Sequence, residues 1–297
     1  MDKMSKIIPN FLLVGAPKAG TTSIANYLNE HPDIFISEEK EPFYFLPNIL
    51  TDTNKKDPMY DSIKRRAHLS DTEYYGLFSN AKSEKKIGEA TVHYLYHFNE
   101  VIPRVKKELG DIDIIIVLRN PIARAFSNYK YQNKGQIVSF EKALKLEEHR
   151  RENNYNSFWF YKEVGKYYAP VKEYLSSFSR VHICFFEDFK ENPINFMQNM
   201  YSFLLVNNEF EPNISIKHNP TMVPKNKILH FLFYFKNRYV IKNIFPKRIR
   251  HFLQNQFFKK NNTKLTTETS DRLKDYFKPD IKELEQLLNS DLSKWYS

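Results

Sequence analysis

The sequence contains a single cysteine, Cys184, among its 297 residues. One cysteine excludes an intrachain disulfide framework. Apolar residues make up 41% of the chain, which is enough for a substantial hydrophobic core. Cys184 stands in an apolar run, residues 181–186, and this predicts a buried strand position rather than a reactive thiol.

Long apolar segments are also missing. No run of about 18 apolar residues occurs, so no membrane-spanning helix is predicted. No apolar signal region precedes the first predicted strand at Phe11. We therefore expect a reducing, cytoplasmic location. No group of His and Cys residues has metal-ligand spacing, and no metal is expected.

Acidic residues are absent from residues 225–260, a window that holds ten Lys and Arg residues. Those ten charges equal the net charge of +10, so the rest of the chain is neutral in sum. The same window is rich in Phe and Tyr, and this mixture suits an anionic polymer or an anionic membrane surface. The alternative is a helical subregion with a packed aromatic core and solvated lysines. We assign residues 222–262 as a basic, aromatic helical subregion within one domain, residues 1–297.

Short apolar runs alternate with helical patterns along the chain. Strands are predicted at residues 11–14, 34–37, 86–91, 111–118 and 181–186. Helices are predicted at residues 22–30, 98–109, 121–133, 155–178, 193–205 and 271–289, the last with a break at Pro279, and a loop at 207–220. Continuous apolar runs are typical of strands covered on both faces. The pattern predicts an α/β fold of three layers, with a central, mainly parallel sheet flanked by helices.

The most informative motif follows the first predicted strand. Residues 15–22 read GAPKAGTT, with two glycines five positions apart before a predicted helix. Glycine lets the backbone present its N–H groups and the helix N-terminus adds a positive dipole end, so the motif favours a phosphate site over a purely structural turn. A nucleoside-triphosphate loop has lysine directly after the second glycine. Here Thr21 stands there and Lys18 lies inside the loop, which indicates a phosphate ligand without a triphosphate tail.

A second candidate site follows the strongest predicted strand. Arg119 comes directly after residues 111–118, which places it at the carboxyl edge of a parallel sheet, where α/β proteins bind ligands. An arginine at this edge can bind a phosphate through two parallel hydrogen bonds, and Ser127 in the next helix can add a third. The alternative partner for Arg119 is a carboxylate.

A third candidate is the segment 38–45, which reads EEKEPFYF. A carboxylate flanked by Pro42 and aromatic residues would be partly desolvated, which raises its pKa and makes it a better general base. The alternative is a solvated acidic turn, and residue chemistry alone does not decide between them.

Together these segments resemble the sulfotransferases that use 3′-phosphoadenosine 5′-phosphosulfate (PAPS) as donor. The resemblance is strongest to the bacterial carbohydrate-type and heparan-sulfate-type domains, and it covers nearly the whole chain. It implies a P-loop-like fold. The matching segments, in order, are residues 15–22, 31–32, 40–43, 88–91, 118–121 with Ser127, and 273–285 with Trp295.

The resemblance also implies roles for individual residues. Lys18 would stabilise the leaving phosphate and the transferring sulfuryl group, and Glu41 would remove the proton of the acceptor hydroxyl. Arg119 and Ser127 match the pair that holds the 3′-phosphate. The 5′-phosphate would be bound in the loop formed by Lys18, Ala19, Gly20, Thr21, Thr22 and Ser23.

The chain departs from the family pattern at several positions. Ala90 stands where the heparan-type enzymes often have a lysine, so one contact to the sulfuryl group or acceptor is missing. Thr22 replaces an arginine of those enzymes, and their C-terminal cysteine pair is absent. His93 lies near the position of a catalytic histidine in the cytosolic small-molecule enzymes, and it is the rival to Glu41 as base.

These observations predict a sulfotransferase that acts on a hydroxyl of a carbohydrate or glycolipid. The basic segment 225–260 would line the acceptor cleft or contact the inner face of an anionic membrane. Two alternatives stay open: an ATP-dependent small-molecule kinase with a variant phosphate loop, and a basic nucleic-acid-binding protein. The second alternative leaves the three ordered motifs unexplained, so no nucleic-acid partner is expected.

Overall fold

A parallel sheet forms the centre of the molecule. The computed structural model describes residues 6–132, 138–215, 222–224, 258–260 and 264–297. The described central sheet has five strands, all parallel, in the order β2-β3-β1-β4-β5. They are β1 (Phe11–Gly15), β2 (Ile34–Ile36), β3 (Lys86–Ala90), β4 (Asp113–Leu118) and β5 (Val181–Phe185). Every residue of β1 and β4 is buried, and the predicted α/β fold is confirmed.

Helices connect the strands and cover both faces of the sheet. The helices within the described ranges are α1 (Thr21–Asn29), α2 (Ile49–Asp52), α3 (Tyr60–Arg66), α4 (Asp71–Gly76), α5 (Phe98–Leu109), α6 (Pro121–Gln132), α7 (Phe140–Glu152), α8 (Tyr168–Ser177), α9 (Phe186–Glu191), α10 (Pro193–Phe203) and α11 (Thr267–Leu288). None of the described helices is long and apolar enough to cross a membrane.

The direction of each connection decides which face its helix covers. The chain leaves β1 toward the β2 edge of the sheet, but it leaves β3 and β4 toward the β5 edge. Because such crossovers are right-handed, α1 lies on one face and α5 and α8 lie on the other. In agreement, α1 packs against α10, whereas α5 and α11 pack against α8.

The change of direction at β1 positions the candidate site. In open α/β sheets, ligands bind beyond the carboxyl ends of the strands where the strand order reverses. The loops that leave β1, β2, β3 and β4 at this edge carry the residues singled out in the sequence. The described chain therefore places the predicted site residues beyond the carboxyl ends of the strands, at one edge of the sheet.

Most of the predicted elements are confirmed. The strands agree within two residues at either end, and Cys184 is buried in β5 with a free thiol. The helices α1, α5, α6 and α10 also lie where the patterns predict them. Helix α5 ends at Gly110, whose φ of 78° favours glycine at this position.

The single helix predicted over residues 155–178 is wrong. Two 3₁₀ turns, Ser157–Trp159 and Glu163–Gly165, occupy its first part, and α8 begins only at Tyr168. Between the turns, the carboxylate of Glu147 accepts hydrogen bonds from two consecutive amides at 2.8 and 2.9 Å. A buried side chain from α7 thus satisfies the backbone groups that a helix would otherwise pair.

The break predicted at Pro279 is also wrong, because α11 continues through this residue. Phe277 and Ile281 are fully buried on either side, and this packing outweighs the cost of a proline inside a helix, about 3 kcal/mol. The sequence patterns did not predict α2, α3, α4, α7 or α9.

The basic segment is described only at its two ends. Met222–Pro224 and Phe258–Lys260 form an antiparallel pair, β6 and β7. Residues 225–257, for which a helical subregion is predicted, lie outside the described residues, as do residues 216–220 of the predicted loop. The assignment of one domain over residues 1–297 stays a prediction.

Candidate active site

The glycine loop joins β1 to α1 at the reversal point of the sheet. Gly20 has a φ of 80°, and a Cβ at this position would lie 2.9 Å from the ring of Phe186. Both features require glycine. The first amides of α1 have no carbonyl partner within the helix, apart from that of Ser23, which donates to the carbonyl of Gly20 at 2.9 Å. Together with the hydroxyls of Thr21, Thr22 and Ser23, they provide a set of donors suited to an anion.

Lys18 lies within this loop, next to the fully buried Ala19. Its φ of 72° is in the left-handed region, which residues with a Cβ seldom adopt. Its ammonium lies 4.1 Å from the ring centroid of Tyr131 on α6. Ser127 is one turn before Tyr131 on the same face of α6. Lys18 and Ser127 therefore border the same space.

Arg119 is tied to the loop from the neighbouring strand. Its Nη1 donates a hydrogen bond to the carbonyl of Lys18 at 2.7 Å, and its guanidinium lies 4.5 Å above the ring of Phe186. The carbonyl of Arg119 accepts a hydrogen bond from Tyr167 at 3.0 Å. Within the described residues, its buried Nε has no hydrogen-bond partner. The structure thus brings Lys18, Arg119 and the helix of Ser127 together, and their roles stay predictions.

Glu41 follows β2 and lies beside the end of β3. It is 7% exposed and has a φ of 62°. Its carboxylate accepts a hydrogen bond from the amide of Val92 at 3.1 Å, and its own amide donates to the carbonyl of Ala90 at 3.1 Å. Burial raises the pKa of Glu41 above its ordinary value, although the positive charges of Lys40 and Arg66 oppose this shift. A buried carboxyl with a raised pKa is suited to act as a general base.

His93, the rival base, lies in an apolar environment. It is 1% exposed, and its ring centroid is 3.9 Å from that of Phe158 and 5.6 Å from that of Phe43. Its Nδ1 is 2.8 Å from the hydroxyl of Ser157, which in turn is 3.1 Å from His97 Nε2. Burial lowers the pKa of His93 well below its ordinary value. A neutral imidazole with so low a pKa is a weak base near neutral pH.

Two further ionisable residues belong to this site, and the sequence patterns did not single them out. The ammonium of Lys40 lies 3.3 Å from Thr22 Oγ1 and 3.5 Å from Thr21 Oγ1. Glu89 is 0% exposed in β3, and Thr91 donates a hydrogen bond to its Oε2 at 2.8 Å. Glu89 lies in the segment 88–91 that matches the family and is a carboxylate within a buried parallel strand, and these two signals could have identified it. Phe186, which contacts both the loop and Arg119, had no such signal.

Glu89 should make the stability of the protein depend on pH. Burial raises its pKa from 4.5 to about 8. Between these two values the unfolded chain is ionised at this position while the folded chain keeps the proton, so stability falls as pH rises, by up to about 1.4 kcal/mol per pH unit. Glu89→Gln should remove this slope, because glutamine resembles the protonated acid. Urea denaturation at several pH values between 5 and 8, with exposed Glu108→Gln as control, measures the effect. Parallel profiles for wild type and Glu89→Gln would contradict it.

A cavity of about 550 Å³ opens at the same edge of the sheet, beyond the His93–Ser157–His97 contacts. Carboxylate, amide and hydroxyl groups line it together with apolar side chains, so it offers several hydrogen-bond acceptors to a ligand. The polar residues in its lining are Asp52, Thr53, His97, Glu100, Glu148, Arg151, Glu152, Asn154, Tyr155, Asn156 and Ser157.

Residues 9–287 match the protein-family model of the sulfotransferase domain. A solved sulfotransferase from Alicyclobacillus acidocaldarius is 29% identical, with a TM-score of 0.76 over 98% of this chain and 100% of the other. The membrane-associated sulfotransferase kil1 of Dictyostelium discoideum is 29% identical over 42% of this chain and 23% of its own length. The mouse heparan sulfate glucosamine 3-O-sulfotransferase 3A1 is 24% identical over 60% of this chain and 40% of its own length. The chain thus spans less than half the length of these two curated relatives.

Proposed function

The chain belongs to the sulfotransferase family, and from this premise we propose that it transfers a sulfuryl group from PAPS to a hydroxyl of a carbohydrate or glycolipid. One observation carries the proposal. Lys18 lies inside the phosphate loop, and Arg119 from the next strand donates to the carbonyl of Lys18 at 2.7 Å. A site for PAPS requires two phosphate-binding regions close together, and this contact joins the two candidates.

The residues at the site fit the donor. The first-turn amides of α1 and the hydroxyls of Thr21 and Thr22 would bind the 5′-phosphate, as helix N-termini commonly bind phosphate. Arg119 would bind the 3′-phosphate with its remaining N–H groups, and Ser127 would add a hydrogen bond from α6. The rings of Phe186 and Tyr131 help to define the positions of Arg119 and Lys18.

The proposed reaction is a direct transfer between two oxygens. The acceptor oxygen attacks the sulfur, and the bond between the sulfur and the bridging oxygen of the 5′-phosphate breaks. The proton of the acceptor hydroxyl passes to Glu41, while the bonding electrons remain on the 5′-phosphate beside Lys18. Catalysis would come from positioning and from stabilisation of the charge that develops on the leaving group.

Two observations support a carbohydrate acceptor. A relative of 24% identity is named as a heparan sulfate enzyme, which favours a carbohydrate hydroxyl. The cavity of about 550 Å³ next to His97 provides acceptors for sugar hydroxyls at the edge of the sheet that carries Glu41. The cytoplasmic location and the membrane contact of residues 225–260 stay predictions from the sequence.

Two measurements test the proposed function. Isothermal titration calorimetry should show binding of adenosine 3′,5′-bisphosphate (PAP), the product that keeps both phosphates. Incubation with labelled PAPS and a cell-envelope extract should add a sulfuryl group to a carbohydrate or glycolipid, detected by mass spectrometry, in the presence of EDTA. The kinase alternative requires Mg²⁺ and ATP. Absence of PAP binding would reject the donor assignment, and transfer from ATP that EDTA abolishes would favour the kinase.

A further inference from the structure

Lys40 lies between the phosphate loop and the proposed base. It directly precedes Glu41 in the chain, yet its ammonium reaches across to α1, 3.3 Å from Thr22 Oγ1 and 3.5 Å from Thr21 Oγ1. These are the two hydroxyls assigned above to the 5′-phosphate. An anion bound at this helix N-terminus would therefore lie within reach of the Lys40 ammonium.

The positive charge of Lys40 is only partly compensated in its surroundings. Glu41 attracts it electrostatically, Glu89 does so when it is ionised, and Arg66 repels it. Neither carboxylate lies within 4 Å of its ammonium, and no other described carboxylate does. Burial lowers the pKa of Lys40 despite the two carboxyls. A partly buried ammonium held only by neutral hydroxyls is stabilised when an anion binds beside it.

The neighbouring strand has no cation of its own at this edge. Ala90 ends β3, and its carbonyl accepts a hydrogen bond from the amide of Glu41 at 3.1 Å. Lys40 is thus attached to the residue that pairs directly with Ala90.

We propose that Lys40 is a second cation of the donor site, whose ammonium binds the 5′-phosphosulfate group beside Lys18. The proposal rests on the proposed function and extends it to a residue outside the glycine loop. Lys40 also lies between the donor site and the proposed base. Its ammonium contacts the hydroxyls of Thr21 and Thr22 that follow the glycine loop, and Glu41 is the next residue in the chain.

The test compares two nucleotides that differ only at the 5′ end. Lys40→Met should weaken the binding of PAP by about tenfold to a hundredfold, the value of one hydrogen bond between charged groups. Binding of adenosine 3′-monophosphate, which lacks the 5′-phosphate, should be unchanged. Arg119→Met should weaken both nucleotides, because this residue is assigned to the 3′-phosphate. Calorimetry with each ligand and each variant provides these values.

Two controls separate charge from structure. Lys40→Arg keeps the positive charge and should bind PAP more tightly than Lys40→Met does. Lys107→Met removes the same charge from an exposed position near the end of α5, far from this edge of the sheet, and should bind PAP as the wild type does. Unchanged PAP binding in Lys40→Met, an equal loss for both nucleotides, or no recovery in Lys40→Arg would overturn the role of Lys40. If the wild type itself bound neither nucleotide, the donor assignment would fail instead.

Discussion

Replacing Lys18 by methionine is expected to slow sulfuryl transfer by about a hundredfold to a thousandfold, the usual cost of removing one group that stabilises developing charge. The leaving 5′-phosphate gains negative charge as the bond to sulfur breaks, and the ammonium of Lys18 is placed in the loop that would hold it. Methionine has a similar length and keeps a Cβ, so the left-handed backbone with its φ of 72° is equally costly in both proteins. The measurement is the transfer rate at saturating donor.

The binding of the intact donor PAPS provides the comparison for this variant. In PAPS the bridging oxygen has not yet gained the charge that develops as its bond to sulfur breaks, so Lys18→Met should weaken PAPS binding much less than it slows the transfer. Lys172→Met on α8 removes an exposed lysine and should leave the rate unaltered. A rate for Lys18→Met within about tenfold of the wild type would reject the assigned role, since a transition-state contact is worth more than that.

Glu41→Gln is expected to reduce transfer by about a hundredfold to ten-thousandfold, the usual contribution of a general base. Glutamine keeps the shape of the side chain and can still accept the hydrogen bond from Val92, but it cannot take the acceptor proton. Because Glu41 acts in its ionised form and burial raises its pKa, the activity of the wild type should fall with decreasing pH at a higher pH than for an exposed carboxylate. This acidic limb of the pH–rate profile should be absent in the residual activity of the variant.

His93→Asn is the decisive companion to this variant. His93 is held between Phe43 and Phe158, and burial lowers its pKa well below its ordinary value. We therefore expect His93→Asn to keep most of the transfer rate once its stability has been checked by thermal unfolding. If Glu41→Gln were nearly as active as the wild type and His93→Asn were inactive, the base would be His93.

The elements that the sequence predicted well are those with strong local signals. Residues 111–118 form a continuous apolar run, and β4 is buried along its whole length. The glycine loop was located because Gly15 and Gly20 stand between an apolar run and a helical pattern, an order with few alternatives. The error over residues 155–178 has the opposite origin. There the backbone is bound by Glu147, a residue of another helix, which a local pattern does not contain.

The site itself was only partly predictable. Lys18, Glu41 and Arg119 were identified because each follows a predicted strand, and the carboxyl ends of parallel strands meet at one edge. Phe186 was assigned to the end of a strand, and nothing in its surroundings indicated that its ring contacts both Gly20 and Arg119. These contacts join residues 166 and 67 positions apart, and no spacing rule describes them.

The sequence by itself determined the class of fold, the position of the glycine loop and the family to which the chain belongs, because these depend on apolar runs and on short motifs that are read locally. Only the tertiary structure decided the electrostatic environment of the site. It placed the ammonium of Lys40 against Thr21 and Thr22 rather than in solvent, and it buried Glu89 in the central sheet, where its pKa rises to about 8. Burial and charge proximity are set by packing between distant segments, and they determine which ionisable residues are available for chemistry.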